Sequence, residues 1–195
     1  MGGLRQTWRV DDETRRCFGT GDPLTERYHD DEWGRPVKDD TELFERIVLE
    51  GFQSGLSWTV VLRKREGFGR AFADWDVRRI ARFGDADVQR LLEDPGIVRN
   101  RRKIEATIAN ASALVSLWDA GESLSDLVWS HAPDTRPGRP SSWDDVPTES
   151  PESRALAKAL KSKGFTFVGP VTMYALMQAC GLVDDHLADC PVRIA

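Results

Sequence analysis

The sequence predicts an all-α fold, on three observations. Apolar residues recur at helical spacing through segment after segment, and none shows the two-residue alternation of a half-buried strand. Capping residues stand just ahead of these segments, at Asp39 or Asp40, Ser123 and Ser150. Glycine and proline then interrupt them, at Gly51, at Asp94-Pro95-Gly96 and at Gly164. With 195 residues, 40% of them hydrophobic, and seven Trp and eight Phe, there is material for one sizeable core. Residues 1–15 carry no periodicity and read as a mobile extension, which leaves 16–195 as a single domain.

Residues 16–36 read as irregular but dense in special residues, with Cys17, Phe18, Tyr28, His29, Glu32 and Trp33. Such a concentration in a loop is a functional signal, because loops carry function on a rigid scaffold. Next comes a helix from Asp39 or Asp40 with the stripe Leu43, Phe44, Ile47 and Val48. It runs towards Gly51 and places Glu50 in its last turn, where the helix dipole disfavours a carboxylate. A break at GFQSG follows, then the apolar run Leu56 to Leu62 and the basic triplet Arg63-Lys64-Arg65. Short helices are expected over 66–73, 76–82 and 85–92, and a long one over 99–118. The long helix buries Ile104, Ile108, Ala111, Leu114 and Val115 and begins with Arg99, Arg101, Arg102 and Lys103. These cations oppose the dipole preference and read either as solvated charges or as a phosphate-facing patch. Ser123 caps a helix over 124–130, and the proline-rich segment 131–150 reads as a surface loop.

Ser150-Pro151 opens a helix with Ala155, Leu156, Ala159 and Leu160 on one face, ending at Gly164 in a left-handed cap. Phe165, Phe167 and Val168 then anchor a tight turn in the core. Gly169 permits close backbone approach, and Pro170 starts a helix that carries Val171, Tyr174, Ala175, Met177 and Gln178. Backbone amides at a helix N-terminus form an anion site. The pattern resembles the helix-hairpin-helix element that grips a DNA backbone phosphate, with an ordinary corner of an all-α domain as the plain alternative.

Composition excludes several classes. No apolar run is long enough to cross a membrane, and the polar N-terminal stretch is unlike a signal peptide. Three cysteines without such a signal point to the cytoplasm and to metal or core roles rather than disulfides. A net charge of −5 argues against whole-surface attraction to nucleic acid and leaves room for one local basic face.

Two constellations carry chemistry. His186-Leu-Ala-Asp-Cys190, taken as helical, sets an imidazole and a thiol on one face, and Cys17 with His29 lie near the other end of the domain. Two Cys and two His make a closed zinc set with no open position, hence structural; two buried thiols and two polar histidines satisfy the same sequence. Cys180 reads as core. The second constellation is Tyr28, Trp33, Glu50 and Trp58, rings plus one carboxylate, suited to a flat, positively charged heterocycle such as an alkylated purine. The plainer alternative is that both Trp are core.

Long stretches resemble the DNA-3-methyladenine glycosylase I family: YHDDEWG at 28–34, LFERIVLEGFQSGLSW at 43–58, VLRKRE at 61–66, GIVRNRRKI at 96–104 and GFTFVGPVTMYALMQACGLVDDH at 164–186. The resemblance spans nearly everything from Cys17 to Cys190. It implies a helix-hairpin-helix glycosylase fold, zinc held by Cys17, His29, His186 and Cys190, hydrogen bonds from Tyr28 and Glu50 to an extruded 3-methyladenine, and stacking on it by Trp58. Two departures stand out. Where the family usually has a Trp after the first zinc cysteine and a Tyr ahead of the YHD motif, this chain has Phe18-Gly19 and, near the second, Thr25. Phe18 is the expected substitute. Where members often have Asn, this chain has Asp184, in a V-D-x-H context like that of the catalytic Asp of related glycosylases.

The expectation is therefore a monomeric hydrolase that removes 3-methyladenine from double-stranded alkylated DNA, with a non-enzymatic, zinc-stapled DNA-binding module as the alternative. Glu50 and Asp184 are the candidate catalytic carboxylates. Phe18, Tyr28, Trp33, Glu50 and Trp58 are expected to bind the base. Gly55 and Leu56 (a wedge for the vacated space), Gly169, Arg101 and Lys103 are expected to meet DNA.

Overall fold

The computed structural model describes residues 16–135 and 138–193, so the expected extension at 1–15 lies outside it. All regular structure among these residues is helical. Ten α-helices follow in order: α1 (Pro23–Asp31), α2 (Asp40–Gln53), α3 (Trp58–Arg63), α4 (Arg65–Ala71), α5 (Val77–Ile80), α6 (Asp85–Glu93), α7 (Arg101–Asp119), α8 (Leu124–Trp129), α9 (Pro151–Ser162) and α10 (Pro170–Ala179). None is long and apolar enough to cross a membrane.

α2 is the central strut. Leu43, Phe44, Ile47, Val48, Leu49 and Phe52 are all buried, and α3, α7, α8 and α10 pack around it. Burying each such side chain contributes about 1.5–3 kcal/mol, so this one helix supplies a large share of the driving force. Its start is capped by Asp39, which accepts from the amides of Thr41 and Glu42. Asp40, the first helical residue, reaches sideways and accepts from the Trp118 indole at 2.6 Å and from the amides of Leu124 and Ser125. That carboxylate thereby ties the end of α7 and the start of α8 to α2. Burial pushes its pKa up, and the indole and amide donors more than offset this, leaving it below the usual range.

The helix-hairpin-helix element is formed by α9 and α10. Gly164 has φ +93°, its N–H donates to the Lys161 carbonyl, and the N–H of Phe165 donates to that of Leu160. This double closure spends the orphan carbonyls at the end of α9. Asn110 of α7 brackets the turn, donating to the Thr166 carbonyl and accepting from its amide. Phe165 and Val168 are buried as expected, whereas Phe167 is exposed, with φ +56°. The turn needs one residue in the left-handed region, and that geometry swings this ring outward.

Three local expectations differ from the fold. Residues 16–36 contain α1, started by Asp22-Pro23 with Pro at its first position. Its buried face is Thr25, Tyr28 and His29, too polar to register as an apolar stripe. Gly51 does not end α2, which runs on to Gln53 against the Phe167 side chain. Residues 186–190 form a turn closed by the Cys190 amide on the Leu187 carbonyl, so His186 and Cys190 do not share a helical face.

α10 ends as α9 does, with Gly181 at φ +73°. A Cβ there would stand 2.4 Å from the Gly34 carbonyl oxygen, so glycine alone lets the segment after α1 lie against the end of α10. Backbone bonds from Gly34 to Ala179 and from Val37 to Cys180 complete that seam. Beside it sits a second, smaller apolar cluster, Tyr28, Trp33, Leu62 and Ala179, with Phe18, Leu24 and Trp58 packed on it.

Candidate active site

A cavity of about 440 Å³ opens over this second cluster. α1 contributes Tyr28, the last turn of α2 contributes Glu50 and Gln53, the start of α3 contributes Trp58 and Thr59, and one face of α10 contributes Ala175 and Gln178. Phe18, Trp33 and Trp143 complete the aromatic wall. The Tyr28 and Trp58 rings lie 5.0 Å apart at 42°, and Phe18 meets Trp33 edge-on at 5.0 Å. All five residues expected to bind the base are thus gathered at one cavity.

Three polar groups of this cavity, on Tyr28, Glu50 and Trp58, make no hydrogen bond among the described residues. Glu50 is buried, yet its carboxylate makes no hydrogen bond among the described residues. Burial pushes its pKa up to about 8, against a weaker opposing pull from the Arg46 guanidinium one turn earlier. Burial and the adjacent Glu50 charge push the Tyr28 phenol well above its ordinary value, which keeps it a hydroxyl donor. The Trp58 indole N–H is buried without a partner among the described residues. Each unpaired buried polar group costs about 1–3 kcal/mol. A ligand that stacks between the rings and pairs with these groups recovers that energy.

A second group lies behind the Phe18–Trp33 wall. Ligand atoms of Cys17, His29 and Cys190 come within 4.8 Å of one another, a set able to hold a metal ion. The His186 ring stands 5.1 Å from that of His29, and its Nε2 is buried with no partner among the described residues. Both histidines are oriented alike: His29 Nδ1 lies 2.8 Å from Asp30, and His186 Nδ1 lies 2.9 Å from Asp184. Each carboxylate is held in turn by an arginine, Asp30 by Arg16 and Asp184 by Arg139. A carboxylate on one imidazole nitrogen, leaving the other free, is the arrangement of metal-bound histidine. The donor set, soft thiols plus imidazoles with an orphaned nitrogen, fits a metal ion.

Asp184 therefore does not line the cavity; its oxygens face His186 and Arg139. The expected DNA contacts also divide. Gly55, at φ +81°, holds Leu56 on an outward turn after α2, 39% exposed. A Cβ at Gly169 would meet nothing within 4 Å, so the start of α10 is open to approach. Arg101 is exposed and pairs with Glu105. Lys103 is a correction: its ammonium is buried and donates to the carbonyls of Phe52 and Ser54 at 2.8 and 2.6 Å. It closes the C-terminal end of α2, where its charge suits the dipole, and faces no solvent phosphate.

Sequence reasoning missed that Trp143 and Gln178 line the cavity. Trp143 sits in the segment read as surface loop, yet its indole donates to the Cys17 carbonyl and its ring packs 6.3 Å from Phe18. A lone Trp amid Ser, Asp and Pro was the available signal, since nothing else in that stretch gives such a ring a place to pack.

The methyladenine glycosylase family model matches residues 18–194. The DNA-3-methyladenine glycosylase 1 of Escherichia coli (strain K12) is 46% identical over 179 residues, covering 90% of this chain and 95% of that protein. A crystal structure of a 3-methyladenine DNA glycosylase I superposes with a TM-score of 0.88 at 49% identity, over 91% of this chain and 98% of the other. A Staphylococcus aureus 3-methyladenine DNA glycosylase I, solved to explain 3-methyladenine recognition, gives 0.86 at 36% identity over 92% and 96%. The chain belongs to the methyladenine glycosylase family.

Proposed function

We propose that this protein is a base-excision repair enzyme that flips 3-methyladenine out of alkylated double-stranded DNA and hydrolyses its N-glycosidic bond. The observation that carries this reading is the buried, unpaired Glu50 carboxyl among aromatic rings in a cavity of purine size. Stacking a desolvated cationic ring on Trp is worth about 2 kcal/mol, and a hydrogen bond to a charged partner about 1.5–3. Together these offset the few kcal/mol needed to take a base out of its stack. Tyr28 and Glu50 read the base, Trp58 stacks on it, and Phe18, Trp33 and Trp143 wall it in.

The chemistry asks little more. A 3-methylated adenine already carries positive charge, so it departs with the glycosidic electron pair and leaves as a neutral base. Water adds to the sugar carbon and gives up a proton. No group need protonate the leaving base, and the site contributes by holding the flipped nucleotide and favouring positive charge at the sugar. Asp184 is a positioning residue for His186. Cys17, His29, His186 and Cys190 hold one structural zinc ion, which when bound clips the N-terminal segment to the end of the domain. Leu56 enters the vacated space, and the amides at the start of α10 hold a backbone phosphate. Residues 16–195 act as one domain, as a monomer, in the cytoplasm.

Release of bases from methylated duplex DNA, with products separated, tests the reading. Free 3-methyladenine without 7-methylguanine is the expected result. DNA binding without release of any base would assign the fold to a binding-only module.

A further inference from the structure

We propose that Gln178 is a further base-reading residue, whose amide is locked by Asp185 so that its carbonyl oxygen faces the cavity as a fixed acceptor. This deepens the excision reading given above and rests on it. Gln178 lines the cavity from α10, on the same face as Ala175. Its Nε2 donates to Asp185 Oδ2 at 2.8 Å. The Tyr174 hydroxyl, one helical turn earlier, donates to the same oxygen at 2.8 Å, and Asp185 is buried.

The chemistry of the pair fixes the orientation. A carboxylate has no hydrogen to give, so only the NH₂ end of the amide can face it. The oxygen is thereby turned away from Asp185, and it makes no hydrogen bond among the described residues. A charge behind the NH₂ end also polarises the amide, which strengthens the carbonyl as an acceptor. The two neighbouring acids thus serve different places: Asp184 orients the His186 imidazole, and Asp185 orients an amide of the cavity.

Two acceptors then face one flat ligand, the Gln178 carbonyl and the Glu50 carboxyl, which a cationic ring beside it draws towards its ionised form. They favour a purine edge rich in N–H donors and carrying positive charge. They disfavour a purine that presents a carbonyl at that edge, because two acceptor oxygens would meet without a proton between them. A positively charged guanine shares the charge of 3-methyladenine and lacks its exocyclic N–H donors at that edge, so Gln178 is a determinant of base choice.

The test combines single-turnover release of 3-methyladenine and 7-methylguanine from methylated duplex DNA with calorimetric binding of free 3-methyladenine. The proteins are wild type, Gln178→Met, Asp185→Asn and Glu50→Gln, with zinc content and melting temperature recorded for each. Gln178→Met, which keeps the side-chain length and removes the acceptor, is expected to weaken base binding by about 10- to 100-fold. Asn at 185 can donate as well as accept, so it frees the Gln178 amide to turn over. The expected result is a lower ratio of 3-methyladenine to 7-methylguanine release. Gln178→Met binding within twofold of wild type, while Glu50→Gln binds weakly, overturns the role of Gln178 alone. Wild-type protein that neither binds nor releases 3-methyladenine overturns both readings. Should Asp185→Asn lose zinc, Gln178→Met decides the matter.

Discussion

The cavity and the metal-ligand cluster share a wall and treat polar groups in opposite ways. In the cluster the outer partners are supplied, since each histidine has its carboxylate and each carboxylate its arginine, and the His186 Nε2 is left without a partner among the described residues. In the cavity, a carboxyl, a phenol and an indole N–H stand in an apolar setting with no hydrogen-bond partner among the described residues. A network of held carboxylates and imidazoles specifies one geometry, while groups with no held partner keep their interaction energy for a ligand. The rings of Phe18 and Trp33 serve both, facing the cavity while packing against His29 and His186. The difference teaches where to look for function in this family member: in groups left wanting, not in groups best held.

The largest expected effect breaks the cluster. Structural zinc is worth on the order of 10–16 kcal/mol in small peptides, so Cys190→Ser or chelation should lower the melting temperature by tens of degrees. Because Trp143 is bonded to the Cys17 carbonyl, 3-methyladenine binding should fall with it. Metal analysis beside a melting curve checks this; an unchanged melting temperature in metal-free wild type would refute the zinc clip.

Breaking the cavity should do the reverse for stability. Glu50→Gln is expected to weaken binding of free 3-methyladenine by about 10- to 100-fold. The buried carboxyl has its pKa raised, so the native state holds a proton that the unfolded state has lost. Stability is therefore full below the ordinary carboxylate range and is lost as pH rises towards about 8. Glu50→Gln removes that loss. Its melting temperature should match wild type near pH 5 and exceed it near pH 9, by the equivalent of several kcal/mol at most. A constant difference across that range would contradict the burial argument.

Asp184→Asn sharpens the boundary between the two regions. An orienting carboxylate is expected to matter about 10- to 100-fold in metal affinity and less than about tenfold in excision rate. A rate loss of about 10²–10⁴-fold with zinc retained would instead make Asp184 a chemical participant. The smallest effects concern the two cations once grouped on one basic face. Arg101→Ala should lower the slope of log affinity for DNA against log salt by about one. Lys103→Met should leave the slope unchanged and lower the melting temperature, since its ammonium is spent on carbonyls.

Much of this was legible in advance wherever the cause is local. Asp39, Ser123 and Ser150 cap their helices by bonds spanning two or three residues, so the sequence carries both partners. Glu50 was conspicuous because a carboxylate in the last turn of an apolar helix contradicts both dipole and burial. The misses have long-range causes. Lys103 reads as a surface charge until the fold brings the end of α2 against it, and Trp143 reads as loop until that loop crosses to Cys17. α1 escaped because its buried face is polar, stabilised by the neighbouring cluster rather than by apolar area.

The Lys103 clamp has a mechanical consequence. A side chain driven into a stacked duplex is pushed back, and the recoil is the few kcal/mol that base extrusion stores. If Leu56 is the wedge, the turn beneath it must not yield. The ammonium that grips the Phe52 and Ser54 carbonyls, backed by the full length of α7, is an anvil directly under that turn. Its two charge-assisted bonds, about 1.5–3 kcal/mol each, are of the same size as the recoil. Loosening the anvil should therefore dissipate the stroke in the protein and leave the base in its stack.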